Sequence, residues 1–326
     1  MNIIIRKWGK WLAPAMLAHC TIVFAQDKVA GYPVRPIRLI ISVAPGAGAD
    51  MVARMTAEIL RESWGQNVVV DPRPGGGGVV ASTYAAKAEP DGYTLYQNGF
   101  GLMLQGAAKR VPFDVLKTFV PAVRSTAQPY VLLVNPGITA KSIKELVALS
   151  SAKPLTYAGS SGTGSTVHIG MEKLAKQSGM KARHIAYKGS SVALLALMGG
   201  EINMAATSIM AAVGAIKSGK VRALANMGLE RVPALPDLPT IAEMGYPKAE
   251  IANMYNLWVP AGTPSAIVTA LNSVVSKGLN TPEMTKRLAA VGATPVKPQP
   301  LSQIKADVER EYIDLQQSVK ELGLKF

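Results

Sequence analysis

The sequence predicts an α/β protein of two units, each with its own mainly parallel sheet. Three observations lead there. Short β-branched apolar runs alternate with segments of helical period. Several of those runs end in glycine- or hydroxyl-rich loops, at 44–50, 72–78 and 157–168. The chain has 326 residues and is 48% hydrophobic, a length that favours two lobes over one and a composition that can fill their cores.

Residues 1–25 read as a secretory leader. Arg6, Lys7 and Lys10 form a basic start, 11–24 is mostly apolar, and Val23-Phe24-Ala25 offers a cleavage point before Gln26. The apolar stretch is short and broken by Pro14 and His19, too little for a membrane span. Leu17-Ala18-His19-Cys20 only loosely resembles a lipidation signal, because His19 stands where a small residue is needed. Lipoprotein anchoring at Cys20 is therefore not expected, and the chain is expected in the periplasm. Cys20 is the single cysteine. Once it leaves with the leader, disulfides, thiolate metal ligands and cysteine nucleophiles are excluded.

The first strand is predicted over 37–43, between Pro36 and Pro45. A glycine loop follows, then a helix over 51–64 with Asp50 as its cap. The pattern repeats with a strand at 67–71, the glycines Gly75 to Gly78 and a helix over 80–88. Pro90-Asp91-Gly92 is a turn before a strand at 93–97, and Asn98-Gly99 opens another loop. The middle of the chain predicts a strand at 130–134 and a helix over 142–150, with Ser142 and Glu145 spaced as a capping box. A strand at 155–158 leads into the loop 159–165. Strand 184–187, helix 192–198, strand 202–206 ending at Thr207, helix 213–218 and strand 221–225 complete the second unit. Pro233, Pro236, Pro239 and Pro247 break the next segment into a loop with a short helix at 241–244. An extended run at 251–259 precedes helices at 264–279, 282–291 and 301–322.

Loops at the carboxyl ends of parallel strands are where such sheets bind ligands. Glycines let backbone N–H groups approach an anion closely, and a following helix adds the positive end of its dipole. The reading is a site for a small carboxylated molecule. Enzyme chemistry finds little support. Gly46-Ala47-Gly48 lacks the third glycine of a dinucleotide fingerprint, and no Gly-x4-Gly-Lys-Ser/Thr run exists. Beyond the leader only His168 and His184 remain as histidines, and no metal-ligand spacing is present. Ser165 and His168 would share one loop–helix junction with no orienting carboxylate, so an exported hydrolase is a weaker reading. No cofactor is expected. Net charge is +14, but the basic residues are scattered and aromatic content is 6%, which argues against nucleic acid.

Several short motifs occur together in one order. They are Tyr32-Pro33 with Ile37-Arg38, Pro45-Gly46 through Asp50, Arg73-Pro74-Gly75 through Gly78, and Pro90-Asp91-Gly92-Tyr93-Thr94. Next come Lys141-Ser142 with Glu145-Leu146, then Ser161-Gly162-Thr163-Gly164-Ser165 with His168, and Tyr187-Lys188-Gly189-Ser190. Arg222-Ala223-Leu224-Ala225, Leu235-Pro236-Asp237 with Pro239-Thr240, and Pro260-Ala261-Gly262-Thr263-Pro264 complete the set. In this order the chain resembles the Bug-family extracytoplasmic solute receptors, the binding proteins associated with tripartite tricarboxylate transporters.

The resemblance implies a two-lobed, type II-like periplasmic-binding-protein fold with two crossing strands. Lobe 1 would be 34–128 plus 255–326 and lobe 2 would be 129–254. It implies a small carboxylate between the lobes, held by backbone N–H groups, hydroxyls and water. Carried over by position, the contacts would be Ala47, Gly48, Gly77 and Gly78 on one side. Across the cleft would stand Ser161, Thr163, Gly164, Ser165, Tyr187 and Ser190. Asn98 is added as a candidate from its place after the third strand, and Thr207 as the position where the family pattern usually has an acid.

This chain departs from the family pattern at Val79, Ala206, Thr207, Met254 and Asn256. Thr207 replaces a usual acid, which disfavours an amine-bearing ligand. Ala206 replaces an aromatic and enlarges the pocket. A dicarboxylate or an aromatic carboxylate is the expected ligand. A membrane permease is the expected partner, with a sensor kinase as the alternative, and the receptor is expected to be a monomer. Four hydrogen bonds to a charged group contribute about 6–12 kcal/mol, against an association cost of about 4–15 kcal/mol. Micromolar affinity needs about 8 kcal/mol net, so exclusion of water by lobe closure is also expected.

Overall fold

The computed structural model describes residues 29–43, 45, 48–158, 165–187, 190–290 and 292–323. The leader at 1–25, with Cys20, lies outside the described residues, as do Ala47, Ser161, Thr163 and Gly164.

The first half of the fold is built on strands β1 (Ile37–Ile41), β2 (Val68–Pro72) and β3 (Thr94–Asn98). They run parallel, with β1 in the middle. Apart from the exposed Arg38, β1 is buried on both faces, which is why it reads as an apolar run broken at that one residue. Ile37, Leu39 and Ile41 point into one core, shared with helices α1 (Gly48–Trp64) and α9 (Ser265–Leu279). Ile40 points into the opposite core, shared with α2 (Val79–Ala86), α3 (Phe100–Ala107) and the long C-terminal helix α11 (Leu301–Glu321).

The two halves share strand β4 (Phe119–Val134). One end pairs antiparallel with β9 (Ala252–Pro260), which itself pairs with β3. The other end pairs with β7 (Met204–Ser208) and β8 (Arg222–Asn226). β5 (Leu155–Ala158) lies parallel between β7 and β6 (Ala182–Ile185). The strand order is β2-β1-β3-β9-β4-β7-β5-β6, with β8 and the short β10 (Thr294–Pro295) also pairing with β4. In the second half Leu132 and Val134 enter a core with α5 (Ile143–Ala152) and α6 (Thr166–Ser178). Val131 and Leu133 enter another with α7 (Ser190–Met198) and α8 (Ile209–Lys217). Four helix layers on two sheet regions make the two-lobed α/β architecture.

Several local expectations are corrected. Strand β4 starts eleven positions before the expected 130, because Pro121, Ser125, Thr126, Gln128 and Pro129 break the apolar pattern. Irregular register beside Pro121 and beyond Arg124 lets the ladder pass those residues. Helix α3 occupies what read as a loop after Asn98-Gly99. Asp50 is not the cap of α1: the helix begins at Gly48, so Asp50 sits in its first turn and pairs with Arg54 at 3.0 Å. β6 lies two residues earlier than expected, which puts Tyr187 beyond the strand, and Thr207 lies inside β7. Residues 241–244 form turns rather than a helix. They still carry a helix-like reciprocal bond, Thr240 N to Glu243 Oε2 at 2.7 Å and Glu243 N to Thr240 Oγ1 at 3.1 Å. The capping box at α5 forms, with Glu145 N donating to Ser142 Oγ at 3.2 Å; the Glu145 carboxylate reaches back to Lys141 N at 3.0 Å.

Candidate functional site

The expected loops of the first half converge at the carboxyl end of β1–β3. Ser42 follows β1, and α1 begins six residues later at Gly48, so the amino end of a 17-residue helix faces that edge. The second loop is held in an unusual backbone state. Gly75, Gly76, Gly77 and Gly78 have φ of 131, 57, 63 and 93°, a run that only glycine adopts without strain. Gly77 O accepts from Gln105 Nε2 at 2.9 Å, and Gln105 Oε1 accepts from Ser82 Oγ at 2.6 Å. Gly78 is buried and precedes α2 directly. A Cβ there would stand 2.7 Å from Gln105 Nε2 and 3.3 Å from Ser42 Cβ. The close approach of Gly78 to Ser42 brings the end of the second loop against the residue that follows β1.

Asn98 ends β3 and is 6% exposed. Its Nδ2 donates to Ser42 Oγ at 3.0 Å and to the Tyr96 hydroxyl at 2.5 Å, and its Oδ1 accepts from Leu102 N at 3.1 Å. Those bonds occupy its amide, so Asn98 positions the loop carrying Ser42 and caps the first turn of α3. Trp258 Nε1 donates to Asn98 O at 3.1 Å, which fixes the backbone of the same residue.

In the second half, Ser165 caps α6. Its Oγ accepts from His168 N at 3.2 Å, leaving its hydroxyl proton available to a ligand. His168 is buried, with its ring stacked on His184 at 4.1 Å between centroids. Burial lowers the pKa of His168, and burial together with His168 pushes His184 down to about 4. The Tyr157 hydroxyl donates to Glu172 Oε1 at 2.5 Å beside this pair, and desolvation raises the Tyr157 pKa. These rings support the start of α6 from below. Tyr187 is half-buried and packs against the core beneath α7, and Ser190 opens α7. Thr207, the penultimate residue of β7, is 1% exposed, and its Oγ1 has no hydrogen-bond partner.

Strands β4 and β9 run between the two halves. Asn98 is registered against Asn256, Gln128 against Asn253, and Tyr130 against Ser208. From Arg124, opposite Asn256, to Tyr130 is ~20 Å along an extended strand. Sequence reasoning missed Ser42, Gln105 and Asn253 as positioning residues. Asn253 Oδ1 accepts from Phe100 N at 3.3 Å and ties α3 to β9. The one local signal for Gln105 is a lone amide in an otherwise apolar helix. Among the described residues no group of three metal-ligating side chains forms, and no helix is long and apolar enough to cross a membrane.

Two α/β halves joined by the long strands β4 and β9 define the class of periplasmic solute-binding proteins. Residues 52–321 match the model of the tripartite tricarboxylate transporter family receptor, and the chain belongs to that receptor family. It is 35% identical over 272 residues to protein BugT of Bordetella pertussis, covering 81% of this chain and 82% of BugT. Solved structures give the same fold. A Rhodopseudomonas palustris protein with adipate matches at 31% identity and TM-score 0.76, covering 90% of this chain and 99% of that one. MatC of the same organism, with bound malate, matches at 28% and 0.73, covering 88% and 100%. The periplasmic binding protein BugD matches at 29% and 0.73, covering 90% and 99%. The family is one of receptors rather than enzymes.

Proposed function

We propose that this receptor, exported by residues 1–25 and working in the periplasm, captures a small carboxylate between lobe 1 (34–128 plus 255–326) and lobe 2 (129–254). The single observation that carries this reading is the close approach of Gly78, at the end of the second glycine loop, to Ser42 just past β1. Gly78 pressed against Ser42 places the start of α2 beside the loop that leads into α1. Backbone N–H groups and two helix dipoles then favour an anion at one place. Ala47, Gly48, Gly77 and Gly78 are assigned to one carboxylate face. Ser161, Thr163, Gly164 and Ser165, with Tyr187, Ser190 and Thr207, are assigned to the opposite face, while Asn98 supports the first through Ser42.

The structural neighbours solved with malate and adipate favour a dicarboxylate or a related carboxylate. Closure of the lobes excludes water and supplies the affinity that hydrogen bonds alone do not. A permease of the tripartite type receives the ligand from the monomeric receptor. Isothermal titration against mono-, di- and tricarboxylates, amino acids and nucleotides tests this reading. Binding confined to carboxylates, and weakened by at least tenfold in Ser161→Ala with Ser165→Ala, is expected. Binding confined to nucleotides would remove the proposal.

A further inference from the structure

The end of α3 holds the second glycine loop from one side. Two consecutive carbonyls of the loop are each taken by one side chain from that end. Gln105, 2% exposed, donates from Nε2 to Gly77 O at 2.9 Å. Arg110, exposed, donates from Nη2 to Gly76 O at 3.4 Å. Its guanidinium lies against Gly77, where a Cβ would stand 3.3 Å from Nη1 and 3.4 Å from Nη2.

The two gripping residues are themselves joined. Lys109 N donates to Gly106 O at 3.0 Å and Arg110 N to Gln105 O at 2.8 Å, the paired bonds of a Schellman turn. Glycine usually takes the left-handed position of that turn. Here Lys109 takes it with φ 53°, the one non-glycine residue of positive φ among the described residues. Backbone held this way points to a role beyond ending the helix.

The grip decides where an amide points. A trans peptide carries its C=O and N–H on opposite sides. Gly76 O is turned toward Arg110 and Val79 N, so the Gly77 N–H of the same peptide is turned away from them. Gly78 N is already bonded to Gly75 O at 2.9 Å. Of the two glycines assigned to the carboxylate, Gly77 is therefore the one whose N–H the grip aims.

We propose that Arg110 and Gln105 are positioning residues for the carboxylate site, holding the Gly76 and Gly77 carbonyls so that the Gly77 N–H faces the ligand. Neither side chain touches the ligand. The inference rests on the carboxylate reading above and names what sets the geometry of one of its loops.

The test is calorimetry on the exported protein with succinate, malate, adipate and 3-phenylpropanoate, with amide hydrogen exchange of segment 75–79 read without ligand. Arg110→Ala is expected to weaken the tightest of these acids about fivefold. It should also quicken exchange of the loop and leave the melting temperature in place, because the side chain is exposed. Arg110→Lys keeps the charge but not the planar fork and should lose as much. Lys117→Ala removes an equal charge from a side chain 85% exposed in the same half and should change neither readout. Gln105→Leu removes the buried part of the grip and should weaken binding with a lower melting temperature. Full affinity in Arg110→Ala, or full rescue by Arg110→Lys, would overturn the positioning role and leave the receptor reading standing. Wild-type protein that binds none of the four acids would overturn both.

Discussion

Ile169 belongs to α6 of the second half, yet its side chain is 2% exposed within the core formed by α2, α3 and α11 of the first. One residue thus plugs a helix of one lobe into the core of the other. The same helix face carries Lys176, which reaches Glu321 on α11 at 2.7 Å. The apolar plug dominates this seam, since exposed ion pairs contribute little.

Ile169→Ala should therefore act on closure. Truncating a buried isoleucine costs about 2–5 kcal/mol. If that contact is made only when the lobes are together, ligand affinity falls tenfold or more while the melting temperature of the ligand-free protein changes little. Calorimetry and thermal melting on the same variant separate the cases. A lower melting temperature with unchanged affinity would mean that Ile169 is a static core residue.

Gly78→Ala meets two obstacles, a φ of 93° and Gln105 Nε2 at 2.7 Å from the new methyl group. Holding a non-glycine residue there costs about 1–3 kcal/mol. The expected result is a protein that melts lower and binds its carboxylate at least tenfold more weakly. Gly31→Ala, a positive-φ glycine with nothing within 4 Å of a new Cβ, is the control for backbone strain alone and should leave affinity intact.

Asn98→Ala removes three side-chain bonds, to Ser42, to the Tyr96 hydroxyl and from Leu102 N, leaving Leu102 N only its bond to Gly99 O at 3.3 Å and the Tyr96 hydroxyl only Ser42. A loss of about 1–3 kcal/mol in denaturant unfolding is expected. Asn256→Ala is expected to do the reverse. It removes two buried unbonded atoms and should cost under about 1 kcal/mol or stabilise the fold. Equal destabilisation by the two substitutions would contradict the hydrogen-bond pattern around the crossing strands.

The stacked histidines make the second lobe acid-sensitive. The folded pKa of His184 lies near 4 against an ordinary value of 6.5. Between those values the unfolded chain binds the proton that the folded chain refuses, so stability rises with pH there. It is complete above about 6.5 and falls as pH drops toward 4. His168, Tyr157 and Glu172 face the ring, and Glu172 opposes the shift. His184→Phe should flatten the melting-temperature profile between pH 6.5 and 4. An unchanged slope would place the acid sensitivity elsewhere.

Much of this was legible in the chain. A parallel strand buried on both faces has to be largely apolar, so the run 37–41, interrupted only by the exposed Arg38, names itself without help. Gly75 to Gly78 announce a backbone that side chains forbid, and the Ser142–Glu145 capping box is written in four residues. β4 was the hardest element to see. Proline and polar residues inside a strand look like its end, and only the partner strand β9, more than a hundred residues away, shows that it continues.

Sequence by itself determined the α/β class, the glycine loops at strand ends and the receptor family, because these depend on local period, on permitted φ and on motifs in order. Tertiary structure decided which of those loops meet. Ser42 and Gly78 are 36 positions apart and come together only because β1 lies between β2 and β3. It also decided that the Asn98 amide bonds to Ser42, Tyr96 and Leu102 N, and that Arg124 and Asn256 sit in register with unbonded atoms. No local pattern encodes those facts, since a side chain's partners are set by strand order and register rather than by its neighbours in the chain.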